Sequence, residues 1–249
     1  MSSNNKKPVL ITGASRGIGA AIAEAFAKEG YPLYLCCKNS FDKLEALSTE
    51  LSNKYSISCT AFSCDVGNEK DVIEIFDKMK CSHIGVPTII INNAGVAHYG
   101  LITDMTSEEW RSLMSVNLDS LFYVCKNAVP FMLQNGGGRI LNISSVWGNV
   151  GASCEVAYSA SKGGVNSFTK ALAKELAPSH IPVNAIACGM VNTEMNSSHL
   201  SEDEINEIAA DIPADRICEP WEVAALALKL IDAPDYLTGQ IITMDGGWI

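Results

Sequence analysis

Val9-Leu10-Ile11-Thr12-Gly13-Ala14-Ser15-Arg16-Gly17-Ile18-Gly19 is the stretch on which the fold turns. A short apolar strand runs into a glycine-bearing turn, and helical sequence follows from Gly17 to Glu29. Three glycines in such a turn have separate tasks. One permits the tight bend, one lets backbone N–H groups approach a pyrophosphate, and one lets the helix sit close on the strand. The helix N-terminus adds the positive end of its dipole. Any strand-to-helix turn can use glycine, so the pattern gains its meaning from what surrounds it.

Outward from this unit, β-rich runs at 33–36, 57–63, 88–91, 139–143, 183–187 and 240–244 alternate with helical segments. Asp42 and Asn68 sit where helix caps belong, and Thr106 with Glu109 forms a capping-box pattern opening one long helix through Leu113 and Leu121. Tyr158 begins a helix running to Leu176, and Pro220 begins the last. No repeat or linker interrupts the order. Repeated β-α units require right-handed crossovers. The expectation is therefore one α/β domain over residues 1–249: a Rossmann fold, doubly wound, with about seven parallel strands and helices on both faces.

The bulk numbers exclude several classes. Of 249 residues, 47% are hydrophobic and 18% charged, enough for a large core. A formal net charge of −10 argues against nucleic acid or an anionic membrane surface as partner. Nine scattered cysteines without a C-x-x-C, and the histidines His83, His98, His180 and His199 without ligand spacing, predict neither disulfides nor a metal site. The N-terminal residues lack a signal-peptide apolar region, and no apolar run is long enough for a bilayer. A soluble, cytoplasmic protein is expected.

The glycine turn at the first strand of such a sheet predicts a dinucleotide. An NAD site offers a carboxylate at the end of the second strand for the ribose 2′-OH. Here that end reads Leu35-Cys36-Cys37-Lys38-Asn39-Ser40, with no acid, and Arg16 lies in the glycine turn. The two cations favour a 2′-phosphate, hence NADP(H) over NAD(H). Tyr158-Ser159-Ala160-Ser161-Lys162 sets a phenol and an ammonium one helical turn apart. The adjacent ammonium and a positive nicotinamide ring both favour the phenolate, and a drop of roughly 2–3 units in its pKa, about 3–4 kcal/mol, is expected, although an ordinary surface Tyr and Lys have the same spacing.

Taken together, TGASRGIG at 12–19, Asn92-Asn93-Ala94-Gly95, Asn117, Ser144-Ser145 and YSASK at 158–162 resemble the short-chain dehydrogenase/reductase family over essentially the whole chain. The resemblance implies hydride transfer from the nicotinamide to a carbonyl, without a metal. Ser145 would polarise the carbonyl, with Ser144 the adjacent alternative. Tyr158 would give the proton, Lys162 would bond the nicotinamide ribose, and Asn117 would hold a relay water. The same resemblance assigns cofactor contacts to Gly13, Ser15, Arg16, Gly17, Ile18, Gly19 and Lys38. Asp65 and Val66 fall beside the adenine, and Asn92, Ala94 and Gly95 along its ribose. Gly189, Val191 and Thr193 fall near the nicotinamide. Where the family reads Pro-Gly, this chain has Cys188-Gly189, which frees φ in that loop. A homotetramer is also implied, with the apolar end Gly247-Trp248-Ile249 at a subunit contact.

For the substrate, the chain looks like the 3-oxoacyl-carrier-protein reductases. Yet 132–136 and 177–180, where basic residues would dock an acidic carrier, are nearly free of cations. Locally, 145–148 and 151–156 look like the elongation factor P 5-aminopentanone reductases, whose ketone carries an ammonium. Glu155 would then pair with that cation and Trp147 would wall the pocket. Hydroxysteroid or sugar oxidation, or a silent NADP-binding protein, are the remaining readings. Residues 190–215 are expected to form a substrate lid, with Ser201 and Glu204 capping its helix.

Overall fold

A computed structural model describes residues 6–197 and 201–249; the expectations for the N-terminal segment before residue 6 and for His199 lie outside the described residues. The glycine unit folds as β1 (Val9–Thr12) followed by α1 (Gly17–Lys28). The chain then builds β2 (Leu33–Cys37), α2 (Phe41–Tyr55), β3 (Cys59–Ser63), α3 (Glu69–Lys80) and β4 (Ile89–Asn92). The second half adds α4 (Ser107–Met114), α5 (Ser120–Gln134), β5 (Arg139–Ser145), α6 (Trp147–Val150), α7 (Val156–Leu176) and β6 (Val183–Cys188). It closes with α8 (Glu194–Ser197), α9 (Glu202–Asp211), α10 (Pro220–Ile231) and β7 (Ile241–Met244).

Among the described residues seven strands lie parallel in one sheet of order β3-β2-β1-β4-β5-β6-β7, the single-domain Rossmann architecture. Strands β1, β2, β4 and β6 are buried along their whole length because helices cover both faces. One apolar cluster packs α1 and α10 on one face, and a second packs α3, α5 and α7 on the other. The strand order reverses between β1 and β4, which opens a crevice at the carboxyl ends of the strands.

Local chemistry explains most boundaries. Asn68 accepts the Lys70 N–H at 3.1 Å and starts α3. Thr106 and Glu109 exchange both capping-box bonds, at 2.8 and 3.2 Å, and so do Ser201 and Glu204, at 2.8 and 3.3 Å. Beyond shifts of one or two residues at other element ends, three details differ from the sequence reading. Ser40, not Asp42, is the residue before α2, and Asp42 sits in the first turn, where its charge favours the helix dipole. The long helix after Thr106 is interrupted by a π-helical turn at Ser115–Asp119. Strand β3 begins only at Cys59, because Ser56 takes a left-handed conformation (φ 55°) that ends α2.

Asn92 and Asn142 face each other in the β4–β5 register, and the Asn92 amide donates to Asn142 Oδ1 at 2.9 Å. Asn142 donates on to Thr169 Oγ1 (2.8 Å), and Thr169 donates to the Val165 carbonyl (2.8 Å). This fully buried polar chain ties the two central strands to α7.

Candidate active site

The crevice holds a cavity of about 600 Å³ that runs from the glycine turn to Trp147 and Glu155. At its phosphate end, Gly13 and Gly17 have φ of 64° and 55°. A Cβ on Gly13 would lie 2.8 Å from Ala94 Cα, and one on Gly19 would lie 2.4 Å from the Gly13 carbonyl oxygen. These contacts keep α1 pressed on the turn and leave backbone bare toward the cavity, a cradle of the size and polarity a dinucleotide pyrophosphate needs. Ser15, Arg16 and Ile18 line the same end.

Lys38, Asp65, Val66, Ala94 and Gly95 also line the cavity, as do Gly189, Val191 and Thr193. Asn92 does not. It is 4% exposed and its amide is spent on Asn142. Its neighbour Asn93 takes the place, donating to the Thr12 and Gly13 carbonyls at 2.9 and 3.1 Å. Successive residues at a strand end point to opposite sides, so of an Asn-Asn pair only one can face the crevice. Gly19 likewise lies beneath the turn rather than on the cavity wall.

The expected cations are present but engaged. Arg16 pairs with Glu194 at 3.0 Å, Lys38 with Asp65 at 2.7 Å, and Lys43 approaches Glu194 at 3.9 Å. A reading confined to the end of β2 does not see these carboxylates, which arrive from the segment after β3 and from α8. Apart from the half-buried Asp65, the side chains of these ion pairs are exposed and the pairs individually weak, so an incoming phosphate can exchange for them.

At the other end, strand alternation separates the two serines. Ser144 Oγ donates to Asn166 Oδ1 at 2.6 Å, toward α7. Ser145 Oγ accepts the Trp147 backbone N–H at 3.2 Å, and Ser145 lines the cavity with Tyr158, where it lowers the phenol's pKa. Lys162, 4% exposed, donates to the Ile143 carbonyl at 2.9 Å. Asn117 lies behind the wall, not on it. Its amide clamps the Val96 backbone at 2.8 and 2.9 Å and donates to Ser161 Oγ at 3.0 Å. Gly95 separates the two, since a Cβ there would meet Asn117 Oδ1 and Lys162 Nζ each at 3.5 Å.

The electrostatics correct one expectation, as far as the ammonium's share in it goes. Lys162 Nζ stands 5.6 Å from the centre of the Tyr158 ring with its hydrogen bond directed elsewhere, so the ammonium does not prevail. Burial raises the Tyr158 pKa, and Ser145 offsets only part of this. Burial also pushes the Lys162 ammonium down to about 8 and the Cys188 thiol up to about 12. A phenol that keeps its proton is suited to donating it to an oxyanion.

Glu155 is 6% exposed, and burial raises its carboxyl to about 7, with the Trp147 side chain drawing it partly back. Among the described residues it has no ion-pair partner. Because its pKa is higher folded than unfolded, the unfolded state binds fewer protons between about pH 4.5 and 7, and stability falls as pH rises through that window. Glu155→Gln is expected to be more stable than the wild type by up to about 3 kcal/mol at pH 8 and level with it at pH 4. Urea melts at the two pH values check this, and parallel pH profiles would refute it. Tyr99 and Trp248 also line this end, from segments whose sequences give no sign of it.

Residues 7–204 match the family described as short chain dehydrogenase, and the chain belongs to that family of oxidoreductases. It is 39% identical over 243 residues to an uncharacterized oxidoreductase, YmfI, of Bacillus subtilis, covering 97% of this chain and 98% of that protein. It is 37% identical to the human 3-oxoacyl-[acyl-carrier-protein] reductase, covering 97% of each. A solved structure of a single-substitution variant of the actinorhodin polyketide ketoreductase with NADPH superimposes with a TM-score of 0.92 at 32% identity, covering 100% of this chain and 99% of that one.

Proposed function

We propose that the protein reduces a ketone to a secondary alcohol, with NADPH as reductant. The observation carrying this is the convergence of Ser145, Tyr158 and Lys162 on the cavity that begins at the glycine turn, with Lys162 buried and its Nζ 5.6 Å from the Tyr158 ring centre. A reduced nicotinamide bound along the glycine cradle supplies hydride. Ser145 and Tyr158 hold the carbonyl oxygen. As negative charge develops there, Ser145 stabilises it and Tyr158 transfers its proton. Lys162 keeps a positive charge beneath the site at neutral pH and orients the ribose, and Asn117 fixes the Val96 backbone behind it. Arg16 and Lys38 at the cavity, with no acid at the end of β2, favour the 2′-phosphate.

On the substrate, the buried Glu155, which has no ion-pair partner among the described residues, favours a ketone carrying an ammonium, such as a protein-linked aminoketone. A carrier-bound 3-oxoacyl thioester is the second reading, favoured by what relatives such as the human reductase are named for. The segment around α8 and α9 would act as the lid. Exposed Phe122, Leu133, Trp221 and Tyr236 suit contacts within a homotetramer. The nine free cysteines suit a reducing cytoplasm.

The test is oxidation of NADPH or NADH with three ketones: 2,3-hexanedione, acetoacetyl-N-acetylcysteamine and (4-oxopentyl)trimethylammonium. NADPH is expected to be used at least tenfold better than NADH, and the cationic ketone to give the highest kcat/KM. Better use of NADH would overturn the cofactor assignment. Preference for the thioester, unchanged in Glu155→Gln, would replace the first substrate reading by the second.

A further inference from the structure

The C-terminal tail builds a wall of the substrate end. Asp245 accepts the Gly247 N–H on Oδ1 and the Ile249 N–H on Oδ2, each at 3.0 Å. Gly246 turns the chain at φ 69°, and a Cβ there would lie 2.7 Å from Ile212 Cγ2 and 3.0 Å from Ala214 Cβ. The Ala214 N–H donates to the Gly246 carbonyl at 3.1 Å. The tail is thereby fixed against the segment that leaves α9, and it delivers Trp248 to the cavity.

There the Trp248 ring centre lies 5.1 Å from that of Trp147, tilted by 59°. This spacing and tilt are those of a stabilising aromatic pair. Trp147 and Glu155 line the same end of the cavity, and the Trp147 side chain lowers the Glu155 pKa that burial raises. The tail and the paired indoles therefore line the cavity together with the Glu155 carboxyl, joining residues about a hundred positions apart. Indole faces attract an ammonium, most strongly where water is excluded, and a carboxylate beneath them completes a seat for a cation.

We infer that Trp248 is a specificity-determining residue that holds Trp147 beside Glu155 and walls the seat of an ammonium-bearing ketone. The inference rests on the ketone-reductase reading. A neutral ketone needs only Ser145 and Tyr158 and makes no demand on this wall, so the tail governs selectivity rather than the hydride step.

Full-length Trp248→Ala and Trp248→Phe are compared with the wild type on NADPH, using (4-oxopentyl)trimethylammonium and 2,3-hexanedione. Trp248→Ala is expected to lower the ratio of kcat/KM for the cationic over the neutral ketone at least tenfold, chiefly through the KM of the cationic one. Trp248→Phe is expected to restore most of that ratio, because a ring face remains. The near-UV circular dichroism of the coupled indoles should disappear in Trp248→Phe and in Trp147→Phe alike, which reports the pairing independently of turnover. If Trp248→Ala depresses both ketones equally, or leaves the ratio unmoved, this inference falls while ketone reduction stands. If the wild type reduces neither ketone, both fall.

Discussion

Tyr158→Phe is expected to reduce kcat/KM for every ketone by about 10³-fold, because a positioned general acid contributes roughly 10²–10⁴. The variant loses one oxygen and no packing volume, and the hydroxyl it loses sits where burial already disfavours its ionisation. NADPH affinity, measured by fluorescence titration, should change less than threefold, and the melting temperature should hold. Residual turnover within tenfold of the wild type would remove Tyr158 from the chemistry. Loss of NADPH affinity by a factor comparable to the loss in rate would instead make it a binding residue.

Gly19→Ala has the next largest expected effect, for a steric reason. The added Cβ would stand 2.4 Å from the Gly13 carbonyl oxygen and 2.9 Å from Ala14 Cα, both backbone atoms that cannot rotate away. It would also stand 2.6 Å from the Asn93 amide that spans the Thr12 and Gly13 carbonyls. Helix α1 must lift from the turn, at a cost of about 3 kcal/mol of stability. The N–H groups of the cradle then move off the pyrophosphate, and NADPH is expected to bind about 100-fold more weakly. Gly163→Ala is the control. Its Cβ would meet only the Gly148 carbonyl oxygen, at 3.6 Å, so the gain in helix propensity should leave it neutral or up to about 1 kcal/mol more stable. Equal losses in both variants would show that the turn does not depend on the close approach at Gly19.

Features written in consecutive residues are legible in the sequence. The strand-turn-helix around Gly13, the Tyr158–Lys162 spacing, the caps at Asn68, Thr106 and Ser201, and the parallel sheet all follow from local pattern. What stays hidden depends on which way a side chain points or on what meets it from afar. Asn92 and Asn93 are alike in sequence, and only the strand's alternation sends one inward and the other to the turn. The carboxylates that hold Arg16 and Lys38 come from α8 and from the segment after β3. The Tyr158 pKa runs opposite to the ammonium's share of its sequence expectation because spacing on a helix tells how near an ammonium is, not where its proton is directed. Tyr99 and Trp248 reach the cavity through loops, where no periodic signal exists.

The amide chain from Asn92 through Asn142 to Thr169 has one more consequence. Parallel strands rich in isoleucine are nearly interchangeable under a slide of one residue, since either face buries well. The paired asparagines remove that ambiguity, because a slipped alignment strands two amides in an apolar interior with nothing to bond. Gly95 lies three residues beyond Asn92, and Ser145 three beyond Asn142. The two amides therefore act as a mechanical key: they index β4 against β5, and so set how far each strand protrudes where the carbonyl will be held.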